Sequence, residues 1–483
     1  MTLPDVALHI GHETLATASG GTYDHVNPVT GKLQATIPLA GPAEVDRAVA
    51  KAESARDSWR RTVPEVRREM LIRLADLIEA RRADFAEAAA FDGGTPRLFG
   101  ERGVDTAIAW VRYYAGWCDK ISGELLSTLD TRGEFAYTMP EPIGIVGIII
   151  TWNGPLISLC MKVAPALAAG NCVIVKPAEL TPFAPELFAQ LVADAGFPDG
   201  VFSLFPGSAD AGEALARHKK VELISFTGGP ITARKIMIAC AEAIKPSVME
   251  LGGKSASLLF PDADIDAACQ RAVFWTIGVL SGQGCALPTR LLVHTAIYDE
   301  VLVKLQAIAA QFKVGDPMEE GVMVGPLVNA AATRVMGMFD RVRETGSGRF
   351  LMGGNRCGGD LAAGNFIEPT IIADADPDSE IAQVEIFGPA LVVIRFEDED
   401  DAVRIANNSD YGLAAFIQSS NLGLVHRLAE RLRSGGVYVN GAYQIHPHTP
   451  FGGVGISGFG KEGGRAGLDE FLRYKTVAIA SES

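Results

Sequence analysis

The residues best suited to chemistry gather around one cysteine. Cys285 stands in Ser281-Gly282-Gln283-Gly284-Cys285-Ala286, with small residues on both sides and a β-rich run after it. Such a setting leaves a sulfur open, and a thiolate is the best nucleophile among the common side chains. A cysteine is equally a small hydrophobe that proteins bury, so the local sequence leaves both readings open. The other six cysteines lie in apolar stretches or loops and read as structural. Glu250 lies between the strand-like Pro246-Ser247-Val248-Met249 and Leu251-Gly252-Gly253-Lys254. Partial desolvation there raises a carboxylate toward the range of a useful general base; a salt-bridged glutamate at a strand end is the other reading. Asn153, in Thr151-Trp152-Asn153-Gly154-Pro155, offers a strand-end amide. It can serve a developing oxyanion or stabilise its own turn.

A second group of residues suits phosphate and ribose. Gly228-Gly229 follow the apolar run Val221–Phe226 and open a helical stretch, which lets a phosphate approach bare backbone N–H groups. No GxGxxG fingerprint accompanies them, and Ala233 takes the later position. Lys176-Pro177-Ala178-Glu179 puts a cation and an acid at the carboxyl end of the strand-like Asn171–Val175. Each alone also reads as a loop charge. Gly253-Lys254-Ser255 resembles the end of a phosphate loop, but that motif needs glycine where Val248 stands, so this reading fails.

The elements that position these residues follow from periodicity. Val26-Asn27-Pro28-Val29-Thr30-Gly31-Lys32 predicts a short hairpin. Val45, Ala48, Val49 and Ala52, then Leu71, Leu74 and Ile78, recur at helical spacing and predict two amphipathic helices. Glu124 to Pro142 alternates and predicts strands outside the main core. From Ile143 to Glu250, apolar β runs alternate with helical stretches of about a dozen residues, the pattern of a βαβ series and an open parallel sheet. Nucleotides bind such sheets at the carboxyl ends of the strands. Beyond Gly252, Thr289–His294, Leu391–Phe396 and Val437–Asn440 suffice for a second α/β domain.

Length and composition bound the rest. At 483 residues, two or three domains are expected, and 48% hydrophobic with 21% charged residues is ordinary globular composition. A net charge of -15 argues against a nucleic-acid or anionic-membrane surface. No apolar run reaches the roughly 18 residues that span a bilayer, and no secretory signal is visible in MTLPDVALHIGHE. Seven cysteines without a CxxC pair predict reduced thiols, a cytoplasmic setting and no metal site.

Taken together, TWNGPL, NCVIVKPAELTP, FTGG, MELGGKSA, SGQGCALPTR, GNFIEPTI, EIFGPA, NNSDYGLAA and PFGGVGISGFGKEGG resemble the aldehyde dehydrogenase superfamily, in its order and spacing. The likeness runs from Asn27 to Lys475. It implies that Cys285 is the nucleophile and that the Asn153 side chain with the Cys285 N–H forms the oxyanion hole. It makes Glu250 the base for the deacylating water, with Lys162 and Glu462 relaying its proton. Lys176 and Glu179 match residues that hold the adenosine ribose; Glu385 and Phe387 match those that position the nicotinamide. Thr151, Trp152, Gly207, Phe226, Gly228, Gly229 and Leu251 complete the implied cofactor set. Gly154, Ser158, Met161, Gly284, Ala286, Ile445 and Phe451 would line the substrate entrance.

The implied chemistry is thiolate addition to an aldehyde, hydride loss to a nicotinamide to leave a thioester, and hydrolysis to the acid. A carboxylate at Glu179 accepts from a ribose hydroxyl but repels a 2′-phosphate, which favours NAD over NADP. The chain departs from the family pattern at Gly229, Pro230, Ala233 and Val384. Small and apolar entrance residues, with Met161 where relatives acting on carboxylate-bearing semialdehydes use arginine, suggest a bulky, uncharged, lipophilic or aromatic aldehyde. The implied fold is α/β. A Rossmann-type NAD-binding domain takes 1–120 and 143–252, and a catalytic domain takes 253–453. A small β oligomerisation extension takes 121–142 and 466–483, in a homodimer or homotetramer. Two competing readings are a cysteine esterase using the same residues and a catalytically silent binding relative.

Overall fold

The computed structural model describes residues 3–127, 134–328, 331–442 and 444–480. Strand Ile145–Ile149 is buried at every position, because helices cover both faces of the sheet it runs through. Its sheet has the order Glu13–Leu15, Leu8–Ile10, Phe202–Leu204, Cys172–Lys176, Ile145–Ile149, Leu223–Gly228, Ser247–Leu251, Gly458–Phe459. The five central members, Phe202–Leu204 to Ser247–Leu251, are parallel, as the alternating runs predict. The sheet as a whole is mixed. Leu8–Ile10 and Gly458–Phe459 each join it antiparallel and cover what would be bare edges.

The second sheet has the order Arg349–Met352, Thr370–Ala373, Ala390–Phe396, Arg290–His294, Ala256–Leu259, Ala414–Gln418, Gly436–Val439. It is parallel except at Arg349–Met352. Alternation splits its side chains between two cores: Leu292, Ile372 and Val392 face one, and Leu291, Ile371 and Val393 the other. A third sheet pairs Leu472–Ile479 with Phe135–Pro142, from Leu472 opposite Pro142 to Ile479 opposite Phe135, and adds Leu125–Leu126. Residues 128–133 and 481–483 of the expected extension lie outside the described residues. The N-terminal hairpin forms as Thr22–Val26 against Leu33–Pro38, and the two amphipathic helices as Pro42–Arg60 and Pro64–Ala80.

Two helices that periodicity did not reveal, Arg82–Gly93 and Arg97–Ala115, pack on each other, the first also on Phe183–Asp194 and the second on Pro155–Ala168. That last helix is buried almost all round, with Pro155 at its first turn, where a missing N–H costs nothing. After the second sheet the chain returns to the first at Gly458–Phe459, and a bridge between Phe451 and Glu462 closes the return. This crossing brings Glu462 back to Pro155–Ala168. No described helix is long and apolar enough to cross a membrane.

Candidate active site

Cys285 follows a loop that is held open by its backbone. Leu280, Ser281 and Gly282 are left-handed, with φ of 50°, 52° and 76°. Gly282 has no substitute, since a Cβ there would lie 2.0 Å from the Gly388 carbonyl. The buried Gln283 side chain pins the turn: its Oε1 accepts from the Val328 N–H at 3.0 Å and its Nε2 donates to the Leu280 carbonyl. The Asn153 Nδ2 donates to the Gln283 carbonyl at 2.8 Å, so the two loops meet two residues from the sulfur. An amide carries two N–H donors, which leaves Asn153 one for another acceptor.

Cys285 is partly buried, less open than its small neighbours suggest. A side chain on Gly284 would run into Leu287, 2.8 Å from the built Cβ, and Ala286 is buried. Gly284 therefore adds no room. Gly154 is the opposite case: a Cβ there meets nothing within 4 Å. Of the other expected entrance residues, Met161 and Phe451 are buried, while Ser158 and Ile445 are partly exposed. His446 and His448 stack nearby, ring centroids 4.9 Å apart.

Glu250 is more deeply buried than a strand-end position implied, at 4% exposure, and its Oε1 has no hydrogen-bond partner among the described residues. Burial drives its carboxyl well above the usual range; Glu462 adds to this, and Lys162 and Lys461 oppose it. Burial likewise drives the Cys285 thiol well up, with Glu250, Glu385 and Glu462 adding repulsion to a thiolate. Lys162 donates to Glu462, and to Ser225 Oγ at 2.9 Å, in a buried pair. The structure thus gathers Cys285, Asn153, Glu250, Lys162 and Glu462 from the helix Pro155–Ala168, three loops and a strand.

A separate recess lies at the carboxyl ends of the first sheet's strands. A cavity of about 420 Å³, it opens between the helices Ala209–Arg217 and Pro230–Glu242, lined by Ile149, Lys176, Gly212, Arg217, Lys235 and Ile236. Lys176 donates to the Pro177 and Gly207 carbonyls and lies 3.7 Å from Glu179. Gly229 is the cap of Pro230–Glu242, and its face is empty: a Cβ meets nothing within 4 Å. Thr151, Phe226, Gly228 and Leu251 all lie at or just beyond strand ends of this sheet. Towards the sulfur, Trp152 meets Phe387 edge to face at 5.2 Å, and Phe387 is left-handed at φ 53°. Glu385 is fixed by the Gly253 N–H at 3.0 Å, and burial pushes its carboxyl up to about 7 against Gly253, Arg334 and Lys254. These features fit an apolar adenine recess, a ribose-binding acid and amine, and a second acid near the sulfur.

Three contributors escaped the sequence reading. Gln283 could have been noticed as the one polar residue among glycines beside Cys285. Arg334 donates to the Glu385 and Ile386 carbonyls and gave no local signal. Lys254 is wholly buried and without a hydrogen-bond partner among the described residues; burial and Arg290 hold its ammonium well below the ordinary range, Glu385 opposing. It was read only as part of a failed phosphate loop.

The aldehyde dehydrogenase family model matches residues 15–477. An aldehyde dehydrogenase of Alternaria alternata is 38% identical, over 98% of this chain and 95% of its own. PnpE from Pseudomonas sp. WBC-3 has a TM-score of 0.96 at 36% identity, covering 99% of both chains. PnpE also has a structure with nicotinamide adenine dinucleotide. An E. coli NADP-dependent enzyme has a TM-score of 0.95 at 31% identity, covering 99% of both chains. With a cysteine, an amide and a buried acid gathered in one site, and with likeness over nearly its whole length, this chain belongs to the aldehyde dehydrogenase family and is an enzyme that oxidises aldehydes with a nicotinamide cofactor.

Proposed function

We propose that the chain uses NAD to oxidise a bulky, uncharged, lipophilic or aromatic aldehyde to the acid through a thioester on Cys285. The observation that carries this reading is the meeting of Asn153 with the Cys285 loop beside the buried Glu250. Proton removal from Cys285 comes first, because its surroundings favour the thiol; Glu250, itself raised by burial, is a matched acceptor. The thiolate then attacks the aldehyde carbon. Charge develops on oxygen, where the free Asn153 N–H and the Cys285 N–H stabilise it. NAD, when bound, supplies the hydride acceptor and leaves the acyl group on sulfur. The Lys162–Glu462 pair then passes outward the proton that Glu250 took from Cys285. Glu250, again a carboxylate, takes a proton from water, whose oxygen attacks the thioester to release the acid and the Cys285 thiolate.

Residues Lys176 and Glu179 would hold the adenosine ribose, and Glu385 with Phe387 the nicotinamide end. Glu179 favours NAD because a 2′-phosphate would face its charge. The domain limits proposed are 1–120 with 143–252 for NAD, 253–453 for catalysis, and 121–142 with 466–483 for assembly, in the cytoplasm. The test is absorbance at 340 nm over a panel of aliphatic, aromatic and carboxylate-bearing aldehydes with NAD and NADP. Reduced cofactor that vanishes in Cys285→Ala supports the reading. Ester cleavage without any hydride transfer would favour a cysteine esterase instead.

A further inference from the structure

Glu250 must be a carboxylate to act as a base, and its surroundings offer little to hold that charge. It is 4% exposed, and its Oε1 has no hydrogen-bond partner among the described residues. A buried carboxylate is costly unless a cation or hydrogen bonds meet it. Lys162 is already committed: it donates to Glu462 and to Ser225 Oγ, and as an ion pair Lys162 and Glu462 bring no net charge. Cys285 and Tyr438 also face the carboxyl, and either one would repel it as an anion. The Tyr438 hydroxyl donates elsewhere, to the Gln444 carbonyl.

Lys461 stands apart from these. Lys162 and Glu462 are buried, but Lys461 is partly exposed, and its ammonium donates to a carbonyl, that of Gly452, at 2.5 Å. Gly452 also adjoins the base. A Cβ on it would lie 3.3 Å from Lys461 Cδ and 3.5 Å from Glu250 Oε2, so the lysine stem and the carboxyl border one gap. No side chain fills that gap, because Gly452 has a φ of +146° and its Cβ would stand 2.7 Å from the Gly460 carbonyl. The Lys461 N–H donates to Glu470 Oε1 at 2.9 Å, which fixes the root of the side chain and leaves its end free to turn. Glu470 and its neighbour Asp469 complete the charges around it. Burial and Glu462 raise the Glu250 carboxyl, and Lys461 already opposes this alongside Lys162.

We propose that Lys461 is the movable counter-ion of Glu250: when the carboxyl gives up its proton, the ammonium leaves the Gly452 carbonyl, turns into the gap and meets the carboxylate. A lysine suits this task, being a point charge on a flexible four-carbon stem. It keeps its own proton throughout and acts as a positioning residue, through Glu250. Both steps that need a carboxylate, taking the proton of Cys285 and that of water, then begin from the paired form. The proposal rests on Glu250 being the base and names the group that makes its carboxylate available.

The experiment titrates Glu250 itself. Its readout is the protonated-carboxyl infrared band that Glu250→Gln removes, followed against pH in wild type, Lys461→Met and Lys461→Arg. Lys461→Gln replaces the methionine variant if that one does not fold. A cation beside a carboxylate lowers its pKa by roughly 1 to 3 units. The expected result is therefore a midpoint raised by about one pH unit or more in Lys461→Met and restored in Lys461→Arg. The acidic limb of kcat for aldehyde oxidation should move up with it, while KM for NAD stays unchanged. A midpoint equal to wild type in folded Lys461→Met overturns the proposal, and so does one raised equally in Lys461→Arg. Turnover that falls at every pH with no shift of the limb would make Lys461 a structural residue and overturn it as well. If Glu250→Gln hydrolyses the acyl enzyme at the wild-type rate, the reading of Glu250 as the base fails separately. The infrared titration then still decides whether Lys461 is its counter-ion.

Discussion

Three carboxylates face one thiol in this site, and each is paired differently. Glu250 and Glu462 raise the Cys285 thiol by repulsion, while Lys162 offsets the charge on Glu462. An acid whose folded value is raised stays neutral at neutral pH, so thiolate accumulates only as pH climbs. Alkylation of Cys285 by iodoacetamide in the free enzyme is therefore expected to be slow at pH 7 and to quicken up to about tenfold per pH unit. A rate that is flat from pH 7 to 9 would show a thiolate already formed. Glu385 titrates nearer neutrality, at about 7, because burial outweighs the pull of Gly253, Arg334 and Lys254. As a carboxylate it accepts from ribose hydroxyls; protonated, it loses most of that capacity. NAD affinity should then hold above pH 7 and weaken by roughly fivefold to tenfold from pH 8 to pH 6. Fluorescence titration across that window checks it, and Glu385→Gln should bind weakly with no such slope. A slope that persists in Glu385→Gln would assign it to another group.

Helix ends govern the next level. Pro230–Glu242 begins with Gly229 and a proline, so it has neither a side-chain cap nor the N–H of its first residue to offer a phosphate. Gly229 has φ −83° and open space, which a serine fits. Gly229→Ser should raise stability by only a few tenths of a kcal/mol. It should tighten NAD severalfold through a new hydroxyl donor, both measurable by calorimetry; unchanged affinity would place the pyrophosphate elsewhere. Phe183–Asp194 is capped from another helix, Arg82–Gly93, by Asp92. Asp92→Ala orphans two buried N–H groups and should cost about 2–4 kcal/mol, read as a lowered denaturant midpoint. That cap also shows why the sequence was uneven to read. Ile145–Ile149 and Cys172–Lys176 announce themselves as unbroken apolar runs. Arg82–Gly93 packs with small alanines on several sides, and Arg97–Ala115 carries Gly100 and Gly103, so neither shows a clean apolar stripe. Motif likeness placed Asn153 and Gly284 near Cys285, but only the packing of Leu287 distinguishes a glycine that fills a gap from one that leaves it.

At the scale of the molecule, two apolar patches stand out among the described residues. One is a face of the third sheet, where Leu125, Phe135 and Ile479 are exposed on antiparallel strands. The other runs along Pro230–Glu242 and just past it, through Ile231, Ile238 and Ile244, the last 93% exposed. Exposed apolar patches of this kind mark surfaces that contact another protein, and the strand pairing available at a sheet edge suits a second copy of the same chain. A single self-complementary patch closes a dimer; two distinct ones close a dimer of dimers. The expected solution state is therefore a homotetramer, with each patch holding one type of interface. Ile479→Asp with Phe135→Asp should release dimers that keep the Pro230 helix contact. Ile238→Asp with Ile244→Asp should release dimers that keep the strand contact. Light scattering on eluting protein separates these outcomes from the wild-type mass. A tetramer that falls straight to monomers with either pair would mean that the two patches belong to one interface. A wild-type monomer would leave both patches to a different partner and remove the assembly role proposed for 121–142 and 466–483.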